Sequence, residues 1–149
     1  MKKLILLLLL VSSCSFADSI YLGMVSTHFY WNGNCGEELC SEDVTPNSNN
    51  NLVMIEHNGY ELGTFKNSYS DQTYLLAKRI ELKSFGDFKV SVHVGIDYGY
   101  HKWMFSKELK EETLTRPVAI LELSYTKYKI EPVAFWFGNG LALSARVKF

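Results

Sequence analysis

Apolar and polar residues alternate along most of this chain with a period of two. Between Asp87 and Tyr98 the pattern is cleanest. Phe88, Val90, Val92, Val94, Ile96 and Tyr98 form one face, and Lys89, Ser91, His93, Gly95 and Asp97 form the other. The C-terminus repeats it, with Leu141, Leu143, Ala145, Val147 and Phe149 against Ala142, Ser144, Arg146 and Lys148. Such alternation predicts strands with two unlike faces. Gln72–Lys83 follows the rule less cleanly, because Lys78 falls among Tyr74, Leu76, Ile80 and Leu82. Weaker alternation predicts strands at Ser19–Tyr30, Asn50–His57, Tyr60–Lys66, Arg116–Tyr125 and Tyr128–Phe137. No convincing helical period follows residue 17. Turn residues separate the strands at Asn58-Gly59, Phe85-Gly86-Asp87, Thr126-Lys127 and Gly138-Asn139-Gly140.

Eight strands, mostly of about 8–12 residues, suit a tilted crossing of a bilayer. The expected fold is therefore all-β: an eight-stranded antiparallel up-and-down transmembrane β-barrel. Closure removes the two edges an open sheet would expose, and lipid offers unpaired backbone groups no water. A soluble barrel with an apolar interior alternates too. The membrane form is favoured by apolar faces that run rim to rim and by aromatics near strand ends. Those aromatics are Tyr21, Tyr30, Trp31, Phe88, Tyr98, Tyr100, Trp136 and Phe137, expected to form girdles. The chain also ends on Phe149 after an alternating strand, as outer-membrane proteins do. The opposite faces would then carry His28, His93, Asp97, Glu122, Ser144, Arg146 and Lys148 inward as a charge and hydrogen-bond network. Long connections at 31–49 and 99–115 would share one rim with 67–71 and 138–140. The turns near 58, 85 and 126 and both termini would share the other.

The first 17 residues read as an export signal. Lys2-Lys3 is the positive segment, Leu4–Val11 the apolar one, and Ser15-Phe16-Ala17 offers small residues for cleavage. Val11-Ser12-Ser13-Cys14 gives a rival reading, a lipoprotein box retaining a lipidated Cys14. Residues 18–149 remain as one barrel domain. Net charge is −1 and falls further when Lys2 and Lys3 leave, which excludes a basic nucleic-acid surface. With 47% hydrophobic and 21% charged residues, disordered and coiled-coil chains are excluded. Cys35 and Cys40, close together in an exported chain, are expected to form a disulfide worth about 2 kcal/mol. That stretch has too few ligands for a metal, and no cofactor is called for.

Thr64-Phe65-Lys66-Asn67-Ser68-Tyr69 resembles the Phe-Lys-Asp-Ser-Trp segment of the lipid A palmitoyltransferase (PagP) family. Other features fall in that family's order. His28 precedes a long loop, an Asn-rich segment spans Asn47–Asn51, and Trp103 follows the fifth strand. Pro117 opens the sixth strand, Pro132 interrupts the seventh, and a Gly-Asn-Gly turn precedes the last. The resemblance implies an eight-stranded outer-membrane barrel that moves an acyl chain from a phospholipid to lipid A. It implies His28 as general base, Ser68 as the hydroxyl at the reacting centre, and Asn67 as its hydrogen-bonding neighbour. The family has an acidic residue where Asn67 stands, and a neutral amide cannot stabilise a charged imidazole as a carboxylate does. The family's arginine after the fifth strand is replaced by Tyr100-His101-Lys102, and its N-terminal amphipathic helix is missing. Pro132, having no N–H, is expected at a weak seam between strands. In the family such seams admit lipid sideways.

Two functions follow from these residues. One is a monomeric acyltransferase of the bacterial outer membrane, with phospholipid and lipid A as partners. The other is a non-enzymatic barrel acting through loops 31–49 and 99–115. A lipidated soluble barrel that binds a small apolar ligand follows if Cys14 is kept.

Overall fold

A computed structural model describes residues 17–29, 47–101, 113–138 and 140–149. Cys35, Cys40, Trp103, most of the signal segment and most of the two long loops lie outside them. Eight strands form: β1 (Ser19–His28), β2 (Val53–His57), β3 (Tyr60–Lys66), β4 (Gln72–Phe85), β5 (Phe88–His101), β6 (Thr113–Tyr125), β7 (Ile130–Phe137) and β8 (Gly140–Lys148). They close into one barrel in chain order. All pairings are antiparallel, and β1 meets β8 from Ser19↔Lys148 to His28↔Gly140. The expected strands are thus present with shifted ends. β5 and β6 run further into the 99–115 connection than their sequence suggests, while β2 and β7 start later.

Local chemistry explains the joints. Asn58 (φ 52°) and Gly59 (φ 78°) both take the left-handed conformation that a two-residue hairpin needs. Three breaks in register displace the alternation. Gly23 (φ 66°) is the extra residue between Leu22 and Met24, so the inward face of β1 reads Ser19, Tyr21, then Met24, Ser26, His28. Leu82 is the extra residue in β4 and Gly99 in β5. At Gly99 a Cβ would lie 2.3 Å from the Gln72 carbonyl oxygen, so only glycine fits.

The barrel has two rims. One carries both termini and the turns at 58–59, 86–87 and 126–129; it is called the turn end here. At the other, called the loop end, β1, β3, β5 and β7 finish and β2, β4, β6 and β8 begin, with the 67–71 connection joining β3 to β4. The outward face is apolar all round: Leu62 is 59% exposed, Val25 57%, Leu143 56% and Leu76 54%. Lys78 sits on this face as its pattern position requires, its ammonium 4.9 Å from the Tyr60 ring centre. Of the aromatics expected in girdles, Phe88, Tyr98 and Trp136 are exposed outward, whereas Tyr30 and Trp31 lie outside the described residues. Tyr21 corrects the expectation. It is fully buried inside the barrel, because it shares the inward parity of Ser19 and its hydroxyl donates to Glu122 at 3.0 Å. Tyr100 and Phe137 also belong to the inward set, paired with Leu114 and Gly140.

Candidate active site at the loop end

The barrel interior is divided by chemistry. At the turn end every strand supplies a polar member: Tyr21, Glu56, Glu61, Arg79, His93, Glu122, Glu131 and Arg146 from β1 to β8 in turn. His93 Nδ1 lies 2.6 Å from Glu61 and Nε2 lies 2.9 Å from Glu122. Arg79 reaches Glu122 at 2.9 Å. Arg146 donates through Nε to Glu131 at 2.7 Å and through Nη1 to the Tyr21 hydroxyl at 3.0 Å. Lys148 pairs with Glu131. Both His93 nitrogens face carboxylates, so a ring carrying both protons satisfies both. Four cations then balance four carboxylates in a plug that is buried apart from Lys148, whose side chain is 43% exposed at the rim. Burying charge is tolerable only with such pairing.

Of the residues expected inward, His93, Glu122, Arg146 and Lys148 join this plug. Ser144 instead donates to the Gly23 carbonyl at 2.6 Å, which closes the β1 bulge. Asp97 forms a two-point pair with Arg116 (3.0 and 2.6 Å), whose guanidinium stacks 3.5 Å over Tyr100. Glu56, Glu61, Arg79 and Glu131 were not singled out in the sequence, since a charged residue at an alternate position looks the same facing water or facing a barrel interior.

The loop end holds the candidate catalytic residues. His28 is the last residue of β1, and Ser68 lies in the tight connection between β3 and β4. Ser68 Oγ and His28 Nε2 are 2.8 Å apart across forty residues of sequence. With its proton on Nδ1, the imidazole accepts the serine hydroxyl hydrogen, the arrangement a general base needs.

Asn67 builds the turn that presents Ser68. Its Oδ1 accepts from the backbone N–H groups of Tyr69 (2.9 Å) and Asp71 (3.1 Å), an Asx-type arrangement. Its Nδ2 donates to the Gly99 carbonyl at 3.2 Å and so ties the turn to β5. Asn67 is 1% exposed. These bonds turn its amide toward backbone rather than toward His28. Asn47 adds a clamp from the other side, its N–H donating to Ser68 O at 2.7 Å and its Nδ2 to Asn67 O at 3.2 Å. The Asn-rich segment thus holds the serine turn against the end of β1.

Across the barrel from this site, the wall between β6 and β7 is incompletely paired. Only Leu121–Ser124 of β6 bonds to Val133–Trp136 of β7, while β6 pairs with β5 over its whole length. The loop-end half of β6, including Pro117, therefore has no β7 partner. Pro132 pairs with Ala145 of β8 and lies just beyond the β6–β7 ladder on the turn side. Both prolines stand where no N–H is needed toward that seam.

Fold and site define a class: a closed eight-stranded antiparallel barrel with a serine–histidine pair at one rim. No protein-family model matches the chain, and no curated protein matches its sequence. Among the described residues no cluster suited to a metal ion is found.

Proposed function

We propose that this chain is an outer-membrane β-barrel that transfers an acyl chain from a phospholipid to lipid A. The observation that carries the reading is the 2.8 Å contact between Ser68 and His28, residues that the resemblance to the lipid A palmitoyltransferase family selects. The continuous apolar exterior supports a hydrocarbon setting. Water would penalise it, at about 25 cal/mol per Å² of apolar surface, whereas lipid does not. The charged plug supports the same setting, because a soluble barrel of this size fills its interior with apolar side chains. The β6–β7 gap beside Pro117 gives lipid a lateral approach to the loop end. The expected partners are phospholipid and lipid A, and the expected form is a monomer.

In this reading His28 takes the proton of the attacking lipid A hydroxyl as the new ester forms, the phospholipid's ester bond breaks, and the proton passes from His28 to the glycerol oxygen of the departing lysophospholipid, while Ser68 holds the imidazole and the reacting ester in register. Asn67 acts on the position of Ser68 through the turn. The purified barrel, folded in micelles with lipid A and a phospholipid labelled in its acyl chain, should transfer label to lipid A. His28→Ala and Ser68→Ala should abolish that transfer. If the folded barrel transfers no label, the surface-loop reading replaces this one. One observation favours that second reading: the amide at the family's acidic position is spent on the turn and on Gly99, which leaves the imidazole without a charged partner from residue 67.

A further inference from the structure

The outer wall of the barrel carries a groove that neither the plug nor the proposed chemistry uses. It lies at the turn end, crosses β2, β3 and β4, and has a volume of about 370 Å³. Ile55, Tyr60, Leu62 and Leu76 supply its apolar side chains. Leu62 and Leu76 are register partners, as are Tyr60 and Lys78, so Lys78 follows directly on the groove along β4. Glu56 and Glu61 also border it. Both are buried, and their carboxylates turn into the barrel toward Ser19 and His93.

The groove ends at a step in the rim. β3 pairs with β4 only as far as Tyr60↔Lys78, whereas β4 and β5 continue together to Phe85↔Phe88. Every residue from Ile80 to Phe88 is exposed, so this hairpin stands clear of the barrel. Lys78 sits at its foot, exposed, with its ammonium over the Tyr60 ring. A ring face attracts that charge without neutralising it. Among the described residues no carboxylate shares the outward face with Lys78, and Lys78 forms no ion pair. Asp18, at the groove's end beside Ala17, is already engaged: it accepts from the Asn58 N–H at 2.6 Å and lies 3.8 Å from His57. A lysine on a lipid-facing wall is costly unless its head reaches the interface. There the lipid itself supplies the anion.

We propose that this groove and Lys78 form a binding site for a phospholipid whose headgroup is net negative. One acyl chain lies along Ile55, Leu62 and Leu76, and the phosphate meets the Lys78 ammonium. Lysine brings only donors and the phosphate only acceptors. A zwitterionic lipid carries its own ammonium and so competes with Lys78 for the phosphate, while a free phosphate ion lacks the chain that the groove fits. This lipid is held and not consumed, because it sits on the outer wall at the rim opposite Ser68 and His28. The inference rests on the membrane setting of the proposed function and not on acyl transfer.

Native mass spectrometry tests it on the full folded barrel, released from vesicles that hold equal amounts of phosphatidylglycerol and phosphatidylethanolamine with the same chains. The native barrel should retain phosphatidylglycerol about fivefold over phosphatidylethanolamine. Lys78→Met should erase that preference and Lys78→Arg should keep it. Lys83→Met, which removes a charge from the projecting hairpin instead, should also keep it. Leu62→Trp fills the groove and should lower retention of both lipids, and glycerol phosphate, a headgroup without chains, should displace neither. Equal retention of the two lipids by the native barrel, a preference that survives Lys78→Met, or displacement by glycerol phosphate would overturn the site. A barrel that inserts into the vesicles without a preference removes the site and leaves the membrane reading standing, whereas a barrel that stays out of the vesicles removes both.

Discussion

The two halves of the barrel interior solve opposite problems. The turn end packs acids and bases from all eight strands so that nearly every charged group has a partner. The loop end has few charges, keeps an unpaired stretch of β6, holds orphaned polar atoms, and sets a serine against a histidine. A charge-paired interior resists change because removing one member strands another charge, even though Glu61 Oε1 and Ser91 Oγ have no hydrogen-bond partner there. One half is thus held by paired charges, and the other sets a serine–histidine pair at an open rim.

Removing the reacting groups should give the largest effect. His28→Ala is expected to lower acyl transfer by about two to four orders of magnitude, with the urea midpoint of the barrel in lipid vesicles nearly unchanged. A transfer rate within a few-fold of the native one would move the active centre elsewhere. Glu122→Ala reverses that profile. It leaves His93, Arg79 and Arg146 short of an acceptor and should cost about 3–5 kcal/mol in the same unfolding measurement. A loss below 1 kcal/mol would mean that the plug is not a coupled network.

Smaller changes sharpen the contrast. Asn67→Ala removes both turn bonds and the tie to Gly99. It should cost about 1–2 kcal/mol and reduce transfer by misplacing Ser68, and Asn67→Asp should recover part of the turn because a carboxylate also accepts from Tyr69 and Asp71. Transfer unaffected by Asn67→Ala would leave the turn without a part in presenting the serine. Least of all, Lys78→Met on the outward face loses one cation–π contact, worth about 0.5–1 kcal/mol, and should leave transfer untouched. A drop in transfer there would show that the outward face takes part in the reaction.

Much of the barrel was legible in the alternation. β8 keeps one parity from end to end and β5 up to Gly99, so both read clearly. β1 reads weakly because Gly23 inserts a residue and exchanges the faces midway, and β4 reads less cleanly because Lys78 keeps the outward parity of Tyr74, Leu76 and Ile80, Leu82 shifting the faces only near the strand's end. Tyr21 shows the cost of reading residue type without register. An aromatic near a strand end suggests a girdle, but its parity with Ser19 sends it inward to Glu122. The acids of the plug were hidden for a related reason. Glu56 and Glu61 flank the Asn58-Gly59 turn, where charged residues ordinarily face water. Only closing the cylinder brings them opposite Arg79, Arg146 and His93.

The site was legible in part. His28 and Ser68 were selected by family resemblance, and the distance between them depends on β1 and the β3–β4 connection ending at the same rim. The work done by Asn67 was not readable as chemistry, although its turn preference was.

The central claim, that the loop-end pair acts on lipid, is tested most directly by the mass of lipid A from Gram-negative cells carrying the folded barrel in the outer membrane. Native protein should add the mass of one acyl chain, and cells carrying Ser68→Ala should show none of that addition. An unchanged lipid A mass with the native barrel folded and inserted would contradict it.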